Sequence, residues 1–174
     1  SGSSKILKLM NRGHTREWYL DRIESIKTHI PNCGISSDFI TGFCNETEED
    51  HTLTLSLMDS VKYHFSYMFY YSERPNTFAQ RQLVDNIPEK IKKRRLQEII
   101  DLQQKHSLFR NQLNIGQTHE VLIEGTSKKS NKHFFGRTTD NTVVVFDKRK
   151  FSIGDFVDVK VKKCTSATLI GEIV

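Results

Sequence analysis

Apolar positions in the first half of the chain recur with the spacing of helices and of buried strands. With Thr15 as N-cap, intervals of three and four residues predict a helix through Tyr19, Ile23, Ile26 and Ile30. A second helix is predicted after Thr47, which stands in capping-box spacing with Asp50. Runs rich in β-branched and aromatic residues predict strands over 35–43 and 65–71. Helices and strands that alternate with short connections predict parallel α/β structure.

The last third of the chain changes to short β-branched runs separated by turns. These runs predict about five strands, a number and size typical of a small antiparallel β-barrel. Between the two patterns, Pro88 suits the first position of a helix that continues to about Leu113. The fold class is therefore predicted as α/β plus all-β, with an α/β part over 1–84, a linker helix over 85–113 and a small five-stranded antiparallel barrel over 114–174.

The α/β part has too few strands to stand alone. A parallel sheet needs more than two strands and cover on both faces, and this sequence supplies only two strands. We therefore expect residues 1–84 to be the C-terminal part of a larger domain.

Charge and composition narrow the class of protein. The net charge is +5, and it divides into −1 over 1–84, +3 over 85–113 and +3 over 114–174. No apolar run reaches the roughly 20 residues of a membrane helix, and no signal peptide is visible, so a cytoplasmic protein without membrane contact is expected. The irregular spacing of Cys33, Cys44 and Cys164 fits neither a disulfide framework nor a metal site.

Five cations crowd the first turns of the predicted linker helix. Because cations oppose the helix dipole at that end, the sequence predicts that something compensates them. A nucleic-acid phosphate or an acidic neighbouring surface would do so, and a solvated charged face is the alternative. The five residues are Lys90, Lys92, Lys93, Arg94 and Arg95.

The first predicted strand carries an acid in its middle and a glycine at its C-terminal end. Alternation places Asp38 and Gly42 on one side, and a buried carboxylate is costly unless it faces a polar cavity or a hydrogen-bonding partner. Asp38 is thus predicted either in a barrel lumen or at a structural hydrogen-bonded site. Gly42 would permit close approach by a ligand, at the mouth that the free N–H groups from Glu46 onward also face.

Four strings give a resemblance to a known family. SSDFITGFCNETEED is similar to the strand–turn–helix of radical S-adenosylmethionine methylthiotransferases, and SGSSKILKLMNRGHT and FYYSERPNTFA resemble two further family motifs. VLIEGTSKKSNKHFFGRTTDNTVVVF, followed by GDFVDVKV, looks like the TRAM domain that closes these enzymes. Cys44-Asn45 replaces the usual Pro-Gly and Asn76 the usual Gly, but Asn tolerates the positive φ that such turns need.

The resemblance implies a fold and an activity. Residues 1–84 would be the C-terminal part of a partial (β/α) radical barrel, followed by the linker helix and the TRAM barrel. The family adds a methylthio group to an adenosine beside the anticodon, using S-adenosylmethionine and two 4Fe–4S clusters. Every cluster cysteine of the family lies in segments that this sequence does not contain, so the chain alone is predicted inactive and free of iron. Its expected partners are tRNA and the N-terminal portion of its own chain.

The resemblance also assigns residues, although no catalytic residue and no metal ligand falls within the chain. By position, the residues near the cofactor S-adenosylmethionine would be Ser1, Ser3, Arg12, Asp38, Gly42 and Glu46. For Arg12 a surface salt bridge is the alternative. The residues that bind substrate or tRNA would be Tyr71, Arg74, Lys128, Lys129, Lys132 and Arg137.

Two other functions stay open at the level of sequence. The strings MNRGHT and VLIEGTSKK favour the branch that modifies N6-(dimethylallyl)adenosine, whereas sibling branches act on a threonylcarbamoyl adenosine or on a ribosomal-protein aspartate. The second alternative is a free-standing RNA-binding protein without catalysis.

Overall fold

The computed structural model describes residues 1–174 and divides into two units, Ser1–Gln103 and Gln104–Val174. The first unit contains the helices α1 (Ser4–Leu9), α2 (Arg16–His29), α3 (Glu48–Val61) and α4 (Phe78–Gln82), and the strands β1 (Ser36–Thr41) and β2 (Phe65–Tyr70). Helix α5 (Glu89–Gln112) begins in the first unit and ends in the second. The predicted division into three parts at residues 84 and 113 stays a prediction.

The helix starts of the first unit follow from their caps. The side chain of Thr15 accepts a hydrogen bond from the amide of Trp18, and Thr47 forms the predicted capping box with Asp50. Helix α4 has no counterpart among the helices predicted from the sequence. Thr77 caps this single short turn by accepting from the amide of Gln80.

The strands β1 and β2 form a parallel pair, as their pattern predicts. Phe39 points to the covered side of the pair, where it packs in a core with Met58, Tyr63 and Ile99. The opposite side is exposed and carries Asp38, Ile40, Tyr67 and Phe69. The alternation predicted for β1 is thus confirmed, and Asp38 lies on the exposed face.

The second unit is a closed five-stranded barrel. Its strands are β3 (Thr118–Thr126), β4 (His133–Thr138), β5 (Val143–Asp147), β6 (Phe156–Cys164) and β7 (Leu169–Ile173), in the spatial order β3-β4-β5-β7-β6. Ten buried side chains fill the interior, among them Val121, Phe146 and Val159. The alternation of buried and exposed residues is clearest along β6.

One detail of the predicted barrel needs correction. The sequence predicted antiparallel strands throughout, yet β5 and β7 pair in parallel. A closed ring with an odd number of strands cannot alternate direction at every neighbour, so at least one pair must be parallel. Strand β7 runs antiparallel to β6 and enters between β6 and β5, which makes the β5–β7 pair the parallel one.

Among the helices described above, none combines the length and the apolar character that a membrane span needs.

Candidate cofactor cleft and RNA-binding surface

A cleft of 1320 Å³ lies within the first unit. It brings together five residues predicted near cofactor or substrate, which are Ser1, Arg12, Asp38, Tyr71 and Arg74. The guanidinium groups of Arg12 and Arg74 are exposed and form no ion pair within the chain. The cleft therefore offers two free cations, one carboxylate and several aromatic rings, a set that suits a ligand with both charge signs and a flat ring.

Ser3 lies outside this cleft and has a structural role. Its side chain caps α1 and donates a hydrogen bond of 2.7 Å to Asp50 of α3. Asp50 also accepts from Lys5 and from the backbone of Thr47. Burial by itself raises the pKa of Asp50, but these hydrogen bonds outweigh it and lower the pKa to about 2. Ser3 therefore links α1 to the start of α3.

Glu46 also lies outside the cleft lining, in the turn between β1 and α3. Its Oε1 accepts from the amide of Gly42 at 2.8 Å and from the hydroxyl of Thr41 at 3.1 Å, which folds the turn onto itself. The guanidinium of Arg95 donates to the same oxygen at 2.9 Å and to the backbone carbonyl of Glu46 at 3.0 Å. The side chains of Arg95 and Glu46 are almost fully buried, with 4% and 1% of their surfaces exposed, respectively.

The space beside Gly42 is occupied by a side chain of this protein, Lys92. Its φ is +68°, and a Cβ at this position would stand 2.5 Å from Cγ of Lys92. The close approach of a ligand predicted at this glycine is not possible in this arrangement, because the stem of Lys92 fills that space. The ammonium of Lys92 lies 3.2 Å from the carbonyl oxygen of Tyr71 and 2.5 Å from a carboxylate oxygen of Asp85.

Three of the five cations in the first turns of α5, which we call the clamp cations, are paired with acids that lie outside this helix. They are Lys92, Arg94 and Arg95. Arg94 bridges Glu48 and Glu98, and Arg95 also contacts Glu48. Hydrogen bonds from Arg94 and Arg95 lower the pKa of Glu48 to about 2. The acidic neighbouring surface, one of the compensations predicted for the basic run, is therefore confirmed for these three residues.

A closed ring of polar contacts results. Glu98 accepts Arg94 on one oxygen and contacts Nε2 of His51 at 2.8 Å on the other. The Nδ1 of His51 lies 3.3 Å from the hydroxyl of Thr41, which in turn donates to Glu46. From Glu46 the ring continues through Arg95 and Glu48 back to Arg94. The start of α5 is thereby fastened to the end of β1 and the start of α3.

The predicted tRNA-binding lysines of the second unit have the opposite environment. Lys128, Lys129 and Lys132, the loop lysines, are exposed in the connection between β3 and β4, and their ammonium groups form no ion pair. Arg137 differs, because it is held by Glu124 at 3.2 Å and by Asn141. The loop lysines are free to meet a phosphate, whereas Arg137 already has partners.

A second basic connection lies beside the loop lysines, and our predicted set of sites did not include it. The amide of Lys148 donates to the carbonyl of Lys132 at 3.0 Å, which joins the connection after β5 to the connection after β3. The ammonium of Lys148 donates to Thr126 and stands 4.9 Å from the ring centre of Phe134. Arg149 and Lys150 follow and are exposed. Six cations therefore share one end of the barrel.

Comparison with known proteins finds relatives that match both units. Residues 112–174 match the model of the TRAM domain. Over 99% of its length the chain is 66% identical to the tRNA-2-methylthio-N(6)-dimethylallyladenosine synthase of Christiangramia forsetii. The enzymes of that name from Bacteroides thetaiotaomicron and Flavobacterium psychrophilum are each 58% identical, over 99% and 100% of the chain. The chain is thus similar to these synthases along nearly its whole length. It spans 36–38% of the length of these relatives.

The resemblance to radical methylthiotransferases implies iron–sulfur clusters with cysteine ligands, and the residues of this chain do not fit that requirement. Cys33, Cys44 and Cys164 are free, and no three of the side chains that bind metals converge on one point. Burial raises the pKa of the Cys44 thiol, which disfavours the deprotonated thiolate form that a cluster ligand must adopt. The chain supplies no ligand set for a 4Fe–4S cluster.

The family motifs identified the cleft but missed the acids that hold it. The sequence gives no spacing signal for Asp85, Glu48 or Glu98, because each meets its cation only after the chain has folded. One signal was available. Cations at the start of α5 are unfavourable for the helix dipole, so their presence there indicates external acids.

Proposed function

We propose that this chain is the part of a tRNA methylthiotransferase that supplies one side of the cofactor and substrate pocket together with a tRNA-binding domain. The observation that carries the proposal is the 66% identity over 99% of the chain to an enzyme with this activity. The intact enzyme would add a methylthio group to N6-(dimethylallyl)adenosine of tRNA in the cytoplasm. Its remaining segments and tRNA are the partners that this chain requires.

The cleft of the first unit fits S-adenosylmethionine. The cofactor carries a carboxylate, an ammonium, a sulfonium and an adenine, and the cleft offers Arg12 and Arg74 for the anion and Asp38 for a cation. Tyr71 and Phe69 provide flat surfaces against which a base can pack. When bound, S-adenosylmethionine supplies the radical chemistry of the reaction. The cleft residues bind and orient it.

The second unit fits the backbone of tRNA. The loop lysines and the connection after β5 place six cations at one end of a rigid barrel, where a phosphate chain can bind without rearrangement of the strands. Because these contacts are electrostatic, they position the tRNA and do not read its sequence. Specificity for the modified adenosine would belong to the pocket of the first unit.

The test uses the full-length enzyme in cells that lack it. We expect the enzyme to convert N6-(dimethylallyl)adenosine in tRNA to its 2-methylthio derivative, measured by mass spectrometry of tRNA nucleosides. Replacing both Arg12→Gln and Arg74→Gln should reduce the product at least tenfold, because each unpaired guanidinium is worth about 1.5–3 kcal/mol to a bound anion. Lys93→Gln is the matched control, since Lys93 pairs only with Glu89 on its own helix.

Each alternative function has its own result in this experiment. A methylthio group on threonylcarbamoyl adenosine, or on a ribosomal-protein aspartate, would assign the chain to a sibling branch. A protein that binds tRNA but yields no methylthio product in any substrate would contradict the enzymatic proposal. The 174-residue chain by itself should give no product.

A further inference from the structure

We propose that Arg95 and Lys92 of α5 are positioning residues that set the affinity of the cleft for S-adenosylmethionine. The inference rests on the proposed function, because it takes the cleft of the first unit as the cofactor site. It assigns a role in the pocket to a helix that the sequence marks as a linker between two domains.

Arg95 holds the turn that follows β1. Its guanidinium contacts both the side chain and the backbone carbonyl of Glu46, and it reaches Glu48 at 2.8 Å through its second nitrogen. Glu46 in turn accepts the amide of Gly42. One buried side chain of α5 therefore fixes both ends of the turn over residues 42–46.

Lys92 holds the strand that lies beside it. Its ammonium donates to the carbonyl of Tyr71, the first residue after β2, and stands 5.2 Å from the centre of the Tyr71 ring. Its stem fills the space above Gly42, where any side chain would collide with it. Lys92 thus contacts the ends of both parallel strands at once.

The contacts of the two cations lie next to two residues that line the cleft, Phe43 and Tyr71. Phe43 follows Gly42, and its ring meets the ring of Tyr71 edge to face, with 4.8 Å between their centres. Both rings belong to the cleft lining, while Arg95 and Lys92 do not. Open α/β sheets bind ligands at the carboxyl ends of their strands, which is the edge that these two cations fix.

The chemistry of the contacts makes them suited to positioning. A buried carboxylate that loses its cation is left without compensation, so the turn must rearrange until Glu46 reaches water. Glu46 would keep the neutral donors of Gly42 and Thr41 on Oε1, but its Oε2 lacks a hydrogen-bond partner and no other ion pair replaces Arg95. Arginine is required here because its planar fork reaches two carboxylates, which the single ammonium of lysine cannot match.

The experiment measures equilibrium binding of S-adenosylmethionine to the full-length, cluster-loaded enzyme under anaerobic conditions, and binding of tRNA to the same preparations. We expect Arg95→Met to weaken S-adenosylmethionine binding about tenfold, the size expected for a lost buried charge-assisted hydrogen bond. The affinity for tRNA should stay within twofold. Arg95→Lys should restore part of the affinity, and Lys93→Met, on the same helix but exposed, should leave both affinities unchanged.

A second variant keeps the test decisive if Arg95→Met does not fold. Lys92→Met retains the stem above Gly42 and removes only the ammonium, so it should weaken S-adenosylmethionine binding without displacing the helix. Unchanged cofactor affinity in a folded variant of either residue, or an equal loss for tRNA and cofactor, would overturn the positioning role. Failure of the unaltered enzyme to bind S-adenosylmethionine would overturn the proposed function itself.

Discussion

The chain contains two groups of cations that look alike in sequence and differ in structure. The clamp cations of α5 are paired with acids, and two of them are buried. The loop lysines of the barrel are exposed and have no acidic partner. The clamp cations therefore hold the fold of the first unit together, while the loop lysines are left available for another molecule.

The difference follows from the elements that carry the two groups. Helix α5 packs against the end of a parallel sheet, where the turn after β1, the start of α3 and the loop after α4 supply Glu46, Glu48 and Asp85, respectively. The connection between β3 and β4 lies at one end of the barrel. It is hydrogen-bonded to the connection after β5, which is also basic. Clustered cations indicate a binding surface only where folding brings no acid to them.

Removing one clamp cation should produce the largest effect. We expect Arg95→Met to lower the free energy of unfolding of the first unit by about 3–5 kcal/mol, because Glu46 stays buried without its partner. Urea unfolding can be followed by the fluorescence of Trp18, the only tryptophan, which lies in α2 of that unit.

The matched change in the other group is the double replacement Lys128→Gln and Lys129→Gln. Because both side chains are exposed and unpaired, it should alter stability by less than about 0.5 kcal/mol. Equal destabilisation by Arg95→Met and by the lysine variant would remove the distinction between the two groups.

Alanine substitutions at two glycines distinguish the energetic cost of the contact with α5 from the cost of backbone conformation. Gly42 and Gly154 both have positive φ, but only Gly42 has a neighbour within reach of an added Cβ, namely Lys92. Gly154→Ala should therefore cost only the conformational penalty of about 1–2 kcal/mol. Gly42→Ala should cost about 1–3 kcal/mol more, because the held side chain of Lys92 must move.

Native-state hydrogen exchange measures this difference, since it reports the amides of β1 and of the barrel strands separately. In a Lys92→Ala background, Gly42→Ala should cost only the conformational penalty, because the side chain that the new Cβ would displace is absent. If the two glycine variants are equally destabilised, the stem of Lys92 does not fix the turn.

Much of the fold could be predicted because its signals are local. The caps at Thr15 and Thr47, the alternation along β1 and the five β-branched runs of the barrel all depend on residues close in sequence. The parallel pairing of β5 with β7 was missed because it depends on the order in which the barrel closes. Helix α4 was missed because a five-residue helix leaves almost no periodic pattern.

The candidate site divides in the same way. Arg12, Asp38 and Arg74 were predicted from motif positions, and the structure brings them to one cleft. Gly42 and Glu46 were predicted at the cofactor mouth, but their contacts run to α5. These contacts join residues about fifty positions apart, so no local pattern could contain them.

The last effect is specific to the barrel and concerns the dependence of tRNA binding on salt concentration. Each phosphate contact releases condensed counterions, so the slope of log K against log salt concentration reports how many cations meet the tRNA backbone. Replacing Lys128→Gln and Lys129→Gln in the full-length enzyme should reduce that slope by about two and weaken tRNA binding about tenfold at physiological salt. Lys93→Gln removes a cation that already pairs with Glu89, and it should leave the slope unchanged. If the slope falls equally in both variants, tRNA binding depends only on the net charge of the enzyme. The unpaired lysines would then have no specific role in the interface.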